Sequence, residues 1–335
     1  MKRNYGISIG VNGYEFSSLD PLKYAKADAA LVANFLKEDA KFVQVWLFSD
    51  DSPKIYNETT IPYRTPLRRF FRNQFEQPFM SKEDSLWLFF SGHGVQYNGA
   101  DYVLPIDGDL EDPEGSGISL DWIVERLRRS HAGEIILIVD MCRVEGRKGS
   151  APESSFYNGI TTIFSCKPNE SSWEIDAPIR QGAFTYVLVQ NLKRQINDFP
   201  LTIVETERTL QQELVVLNRK YGKQRQTPHI RCESVAKSNS FLFSCVLLQK
   251  RGFAKEKGKA TPSNLVTQKI KKGRNGRYDV MSLKQAALEA EESKELDLAK
   301  SLWEQVLKID NSEQPSYISA ITRIAESALL QSLRF

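Results

Sequence analysis

Four cysteines and three histidines limit the nucleophile–base pairs that this chain can assemble. A thiol attacks a carbonyl only as thiolate, so near neutral pH it needs a base beside it. His93 lies in Ser91-Gly92-His93-Gly94, just past the apolar run Ser85–Phe90. Glycines on both sides let the backbone turn sharply and leave room for a ligand. Cys142 holds the matching place in Asp140-Met141-Cys142-Arg143, after the run Glu134–Val139. The remaining candidates have plainer readings. His131 follows a basic helix end, where it caps carbonyls or stays solvated, and His229 sits beside Pro228 in a polar loop. Cys166 ends a predicted strand, Cys232 is in a polar stretch and Cys245 is inside an apolar run. A buried free cysteine is usually an inert small hydrophobe. Spacing alone leaves the Cys142–His93 pairing as open to coincidence as to catalysis.

The elements that must carry the pair alternate between two periodicities. Tyr5–Val11, Val43–Phe48, Ser85–Phe90, Glu134–Val139, Gly159–Phe164 and Ser240–Val246 read as strands. Pro21–Leu36 reads as a helix with Leu22, Ala25, Ala29, Val32 and Leu36 on one side. A second helix is expected to be capped by Thr65 with Pro66 in its first turn, and a third to run from a Ser119 cap through Arg129. Two more are expected near Gly182–Arg194 and Glu205–Tyr221. The continuous apolar runs suit strands buried on both faces. The alternation therefore predicts an α/β fold with a mostly parallel central sheet, helices on both faces and a small C-terminal helical segment. Ligands in such sheets bind at the carboxyl ends of the strands, where His93 and Cys142 both fall.

Composition narrows the function classes. The net charge of +3 gives no global pull toward nucleic acid or membrane, and 41% hydrophobic residues supply a real core. No stretch is apolar enough to span a bilayer, and the start of the chain does not read as a signal peptide. The cysteines show no C-x-x-C spacing, so a cytoplasmic protein with reduced thiols is expected. No G-x-G-x-x-G or G-x-x-x-x-G-K-[ST] follows a predicted strand, which excludes the common nucleotide-binding loops. Residues 249–278 form a basic linker, a solvated connector or a contact for an acidic partner or nucleic acid. Residues 279–335 look similar to a tetratricopeptide helix pair, with Ala286, Ala290, Leu298, Ala299, Leu302 and Val306 as core positions.

The SGHG segment, followed forty-nine residues later by D-M-C-R, resembles the caspase-like cysteine peptidases. More specifically, the chain looks like the metacaspases and prokaryotic orthocaspases. The likeness runs over about residues 5–245, through ISIGVNGY, LKYAKADAALVANFL, the His and Cys segments, GAFTYVLVQNL and QTPHIRCESVAKSNSFLF. It implies a peptidase domain at 1–248, with a large-subunit-like part at 1–143, a processing loop at 143–158 and a small-subunit-like part at 158–248. It also implies a dyad: Cys142 attacks the scissile carbonyl, while His93 protonates the leaving amine and later activates water. The N–H groups of Gly94 and Cys142 would hold the oxyanion, a contribution of about 3 kcal/mol per donor.

By the same resemblance, Asp28, Ser91 and Asp140 line the primary pocket. Paired carboxylates there favour a cationic side chain, giving cleavage after Arg, with Lys second. From pattern alone, Asp28 reads as a helix surface charge and Asp140 as a strand-end cap. Asp140-Met141 and Val144 depart from the animal caspase signature, which argues against aspartate-directed cleavage. Self-cleavage is expected at Arg143, Arg147 or Lys148. Asp101, Asp107, Asp109, Asp112 and Asp121 cluster loosely, but calcium needs six to eight oxygens in a definite frame. The acidic pair of the family is reduced to Leu120-Asp121-Trp122, and Gly149 and Ser150 stand where a later acid is expected. Calcium-independence with no cofactor and no metal site is expected. Partners implied are proteins or peptides with basic residues, with no membrane, no nucleic acid and a monomeric state. The competing reading is a non-proteolytic caspase-like module acting through its helical tail.

Overall fold

The computed structural model describes residues 2–16, 19–54, 59–145, 160–197, 201–232 and 296–309, and the single positions 240, 242, 283, 287 and 290. Its strands are β1 (Asn4–Gly10), β2 (Gln44–Phe48), β3 (Ser85–Ser91), β4 (Gly94–Tyr97), β5 (Ala100–Val103), β6 (Ile118–Ser119), β7 (Glu134–Asp140), β8 (Arg143–Glu145), β9 (Thr161–Phe164), β10 (Glu174–Ile175), β11 (Gln181–Gly182) and β12 (His229–Arg231). Its helices are α1 (Ala25–Asn34), continued by a π-helical turn over Phe35–Asp39, α2 (Arg64–Phe75), α3 (Pro113–Ser116), α4 (Leu120–Arg128), α5 (Ala183–Asn197), α6 (Ile203–Lys220) and α7 (Leu296–Ile309). The chain divides into two compact units, Met1–Arg251 and Gly252–Phe335.

The first unit is built on a six-stranded sheet in the order β12-β9-β7-β3-β1-β2. Every pairing is parallel except that of β12 with β9. Both faces are covered. Leu86, Leu88 and Phe90 of β3 pack with Leu67, Phe71, Ile123 and Leu127 from α2 and α4. The alternate residues Trp87 and Phe89 pack with Val32, Phe184, Leu188 and Leu214 from α1, α5 and α6. This double burial is why β3 and β7 read as unbroken apolar runs. The expected α/β architecture, with a mostly parallel sheet between two helical layers and a C-terminal helix, is what the structure has.

Several local expectations change. α1 starts at Ala25 rather than Pro21, because Leu22 N–H is taken by the Asn12 carbonyl at 2.9 Å. α2 starts at Arg64, so Thr65 lies inside the helix and does not cap it; Asp107 accepts the Arg64 N–H at 2.7 Å instead. Ser119 does cap α4, accepting from Trp122 N–H at 3.3 Å. α6 starts at Ile203, two residues early, because Thr202 and Glu205 form a reciprocal capping box. His229 is not in a loop: it opens β12 and stacks on Phe164 at 4.9 Å between ring centroids.

A second sheet, β6-β5-β4-β8, was not expected. Its hairpin turns at Asn98-Gly99, with φ of 48° and 77°, the left-handed pair that an Asn-Gly hairpin turn requires. In the second unit, Ala290, Ala299, Leu302 and Val306 are buried as expected, together with Leu283, Ala287 and Trp303. Ala286 lies outside the described residues, as do the basic linker, most of the strand expected at Ser240–Val246, and the processing loop beyond Glu145.

Candidate active site

The site forms where the first sheet hands its strands to the second. β3 and β7 are parallel neighbours with Ser91 opposite Asp140. Each strand then breaks for two residues and re-forms, and β4 and β8 are again parallel neighbours with Gly94 opposite Arg143. The offset is the same on both sides of the break. His93 and Cys142 therefore occupy corresponding positions in the two breaks, brought there by register rather than by local sequence. A cavity of about 370 Å³, counted with its open mouth, has both among its lining residues.

His93 is held from two sides. Its N–H donates to the Tyr14 hydroxyl at 2.6 Å, and the two rings lie 4.8 Å apart. Its Nε2 is 2.9 Å from the Asp20 carbonyl oxygen. A carbonyl can only accept, so Nε2 carries the hydrogen and Nδ1 is left as the basic nitrogen. The Asp50 carboxylate fixes the loop that supplies these partners, accepting from the N–H groups of Asn12 and Gly13 at 3.0 and 2.8 Å.

The thiol faces another way. Cys142 Sγ accepts from Ser172 N–H at 3.1 Å, and no hydrogen bond joins it to His93 among the described residues. Burial pushes the thiol up; the Ser172 N–H opposes this, while the charges of Asp140 and Glu174 add to it.

The floor of the cavity is acidic. Asp28 is 2% exposed and Asp140 5%, so neither is a surface charge or an idle strand-end cap. Asp28 accepts from Gly182 N–H at 2.9 Å and Ser91 Oγ at 3.2 Å. Asp140 accepts from Ser172 Oγ at 2.5 Å and Thr185 Oγ1 at 2.6 Å. Burial, and then the neighbouring Asp140 charge, raises Asp28 well above the ordinary carboxylate range; burial likewise raises Asp140. No buried cation stands beside the two carboxylates among the described residues; hydroxyl and N–H donors satisfy them instead. Glu174 is a third acid on the lining, accepting from the Lys23 and Tyr24 N–H groups at the start of α1.

Of the expected site residues, His93, Cys142, Asp28, Ser91 and Asp140 all line this one cavity. Gly94 opens β4 beside it, and a Cβ there would lie 2.1 Å from Met141 Sδ and 3.0 Å from the Tyr102 carbonyl oxygen, so a side chain at 94 would force Met141 to shift. The Arg143 backbone starts β8, while Arg147 and Lys148 are outside the described residues. The sequence reading missed Tyr14, Ser172, Trp173, Glu174 and Gly182. The loosely clustered acids serve the backbone instead: Asp109 accepts from Glu111 N–H at 3.0 Å and Asp112 caps α3 through Gly115 N–H at 3.0 Å. Among the described residues no group of three His, Cys, Asp or Glu side chains is arranged to hold a metal ion, and no helix is long and apolar enough to cross a membrane.

A family model described as the caspase domain matches residues 5–240. Among solved structures, caspase-1 from Spodoptera frugiperda is similar, with 16% identity and a TM-score of 0.48 over 69% of this chain and 86% of that one. No curated protein matches.

Proposed function

The chain belongs to the caspase-domain family and is a cysteine-type endopeptidase, and on that premise we propose that Cys142 and His93 carry its chemistry and that it cleaves proteins after Arg, with Lys second. The observation that carries the proposal is the shared cavity, which joins a thiol and an oriented imidazole to two buried, cation-free carboxylates. The scissile carbonyl is attacked by Cys142 Sγ, with the thiol proton passing to His93 Nδ1 and then to the leaving amine. Water, deprotonated by His93, hydrolyses the thioester. Orientation of the imidazole comes from a backbone carbonyl, Asp20, so a dyad suffices without a third side chain. The N–H groups of Gly94 and Cys142 are proposed to hold the oxyanion.

Specificity follows from charge. An Arg guanidinium offers a planar fork to Asp28 and Asp140 and supplies the positive charge that offsets the burial raising both carboxyls. An aspartate side chain would add a third negative charge to the same pocket. This is the reading expected of a metacaspase- or orthocaspase-like member, with the peptidase unit over 1–248, the linker over 249–278 and the helical segment after it. Self-cleavage after Arg143, Arg147 or Lys148 belongs to the same proposal, as do a cytoplasmic setting and a monomeric state. The free thiols of Cys142, Cys166 and Cys232 support a reducing compartment.

The experiment is steady-state hydrolysis of peptides that end in Arg, Lys or Asp before the reporter, for wild type and Cys142→Ala. Activity on Arg above Lys, none on Asp and none for Cys142→Ala is expected. Preference for Asp sinks the pocket assignment; retained activity in Cys142→Ala sinks the nucleophile. Intact mass of both proteins tests self-cleavage, because equal fragmentation rules it out.

A further inference from the structure

Ser172 is bonded at once to the specificity pocket and to the nucleophile. Its hydroxyl donates to Asp140 Oδ1 at 2.5 Å, while its backbone N–H donates to Cys142 Sγ at 3.1 Å. Gln226, 1% exposed, holds it in place: Nε2 donates to Ser172 Oγ at 2.8 Å and to the Ser165 carbonyl at 3.1 Å, and Oε1 accepts from Trp173 N–H at 3.3 Å. Because Ser172 Oγ receives a hydrogen from Gln226, its own proton is committed to Asp140. The segment that carries the sulfur's donor is thus pinned to the carboxylate that a basic side chain would occupy.

The charged and titratable groups around the sulfur are Asp140 and Glu174, with Asp28 behind them and His93 on the same cavity. With the pocket empty, the two nearest charges oppose a thiolate. With a cation in the pocket they are offset, and the Ser172 N–H remains, with the Ser171 side chain, as a donor that favours it. We propose that Ser172 is a positioning residue that couples pocket occupancy to the nucleophile, so that Cys142 becomes a strong nucleophile only when a cationic side chain is bound. The inference rests on the basic-pocket reading above.

The test separates the two. Alkylation of Cys142 by iodoacetamide, a neutral reagent, is followed by mass spectrometry at pH 7 with and without ethylguanidinium, which is small enough to fill the pocket and leave the sulfur open. In this step the sulfur forms the new S–C bond, iodide leaves, and the thiol proton passes to His93 or solvent. Ethylguanidinium is expected to inhibit cleavage of an Arg peptide competitively and to speed alkylation about three- to tenfold. Ser172→Ala leaves the direct offset of the Asp140 and Glu174 charges in place but frees the 172 N–H from Asp140, so it is expected to keep the competitive inhibition, to cut the acceleration at least by half and to lower kcat with KM kept within about threefold. Ser172→Thr, which retains the hydroxyl, is expected to restore both. Competition with unchanged or slower alkylation in wild type overturns the coupling alone. Absence of competition overturns the basic pocket and the coupling with it. Acceleration undiminished in Ser172→Ala overturns the assignment to Ser172.

Discussion

Gly182→Ala places one methyl group between the two carboxylates that the pocket depends on. A Cβ built at 182 lies 2.7 Å from Asp28 Oδ2 and 3.1 Å from Asp140 Oδ2, inside normal contact distance for both. Asp28 cannot swing away freely, because Oδ1 is bonded to the Gly182 N–H itself and Oδ2 to Ser91 Oγ. The methyl group therefore takes space that a bridging guanidinium needs. A hydrogen bond to a charged group contributes about 1.5–3 kcal/mol, so losing one such contact lowers kcat/KM about ten- to hundredfold, and losing both about hundred- to ten-thousandfold. The fold bears the usual cost of overpacking, about 1–3 kcal/mol. The assay is kcat and KM for Arg and Lys peptides beside a thermal melt and the iodoacetamide rate without added guanidinium. A raised KM, a folded protein and a basal alkylation rate within about twofold of wild type are expected. An Arg kcat/KM within threefold of wild type in folded Gly182→Ala would refute the claim that a cation sits between Asp28 and Asp140.

Three further outcomes follow from the same geometry. Both pocket carboxyls are raised by burial, and Asp28 further by Asp140, so protonation competes with a bound guanidinium; affinity for Arg peptides rises as pH rises through that titration and KM grows as pH falls, by up to about tenfold per unit per proton, and a flat KM profile refutes that competition. Tyr14→Phe removes the acceptor of the His93 N–H while keeping the ring; a kcat loss of about tenfold with unchanged KM is expected, about the size of one hydrogen bond, and an unaltered kcat shows that Tyr14 does not position His93. Gly94→Ala drives a Cβ to 2.1 Å from Met141 Sδ, so kcat is expected to fall more than tenfold and to recover in part when Met141→Ala is added; equal losses in the single and double variants disprove that packing on Met141 is the cause.

What the sequence made legible is what depends on neighbours along the chain. β3 and β7 announced themselves because strands buried on both faces have no polar residue to spare, and their ends delivered His93 and Cys142. Asp28 was legible only through the family resemblance, since pattern alone reads it as a helix surface charge. It shares the face of α1 that carries Ala25, Ala29 and Val32, all buried, and an acid inside an apolar stripe points to a specific use. The hairpin at Asn98-Gly99 carried its own signal too, but its strands are only four residues long and show little periodicity. Ser172, Glu174 and Gly182 had none. They reach the pocket from loops and two-residue strands, and the Asp28–Gly182 bond spans 154 residues. No local period encodes a contact of that kind.

The spacing of His93 and Cys142 is itself a consequence of the two-sheet arrangement. Ser91 pairs with Asp140 before the break and Gly94 with Arg143 after it, so both strands cross from one sheet to the other with equal numbers of residues. An added residue in one break alone would displace His93 or Cys142 relative to the other or slip the β4–β8 ladder, turning its side chains to the opposite face. The same constraint places Asp140 two residues before the thiol and Ser91 two residues before the imidazole, at the last paired position of each strand. Pocket floor and reacting groups are therefore set by a single register. The proposed coupling rests on the same register: Asp140 and Cys142 are neighbours on one strand end, with Ser172 bonded to both.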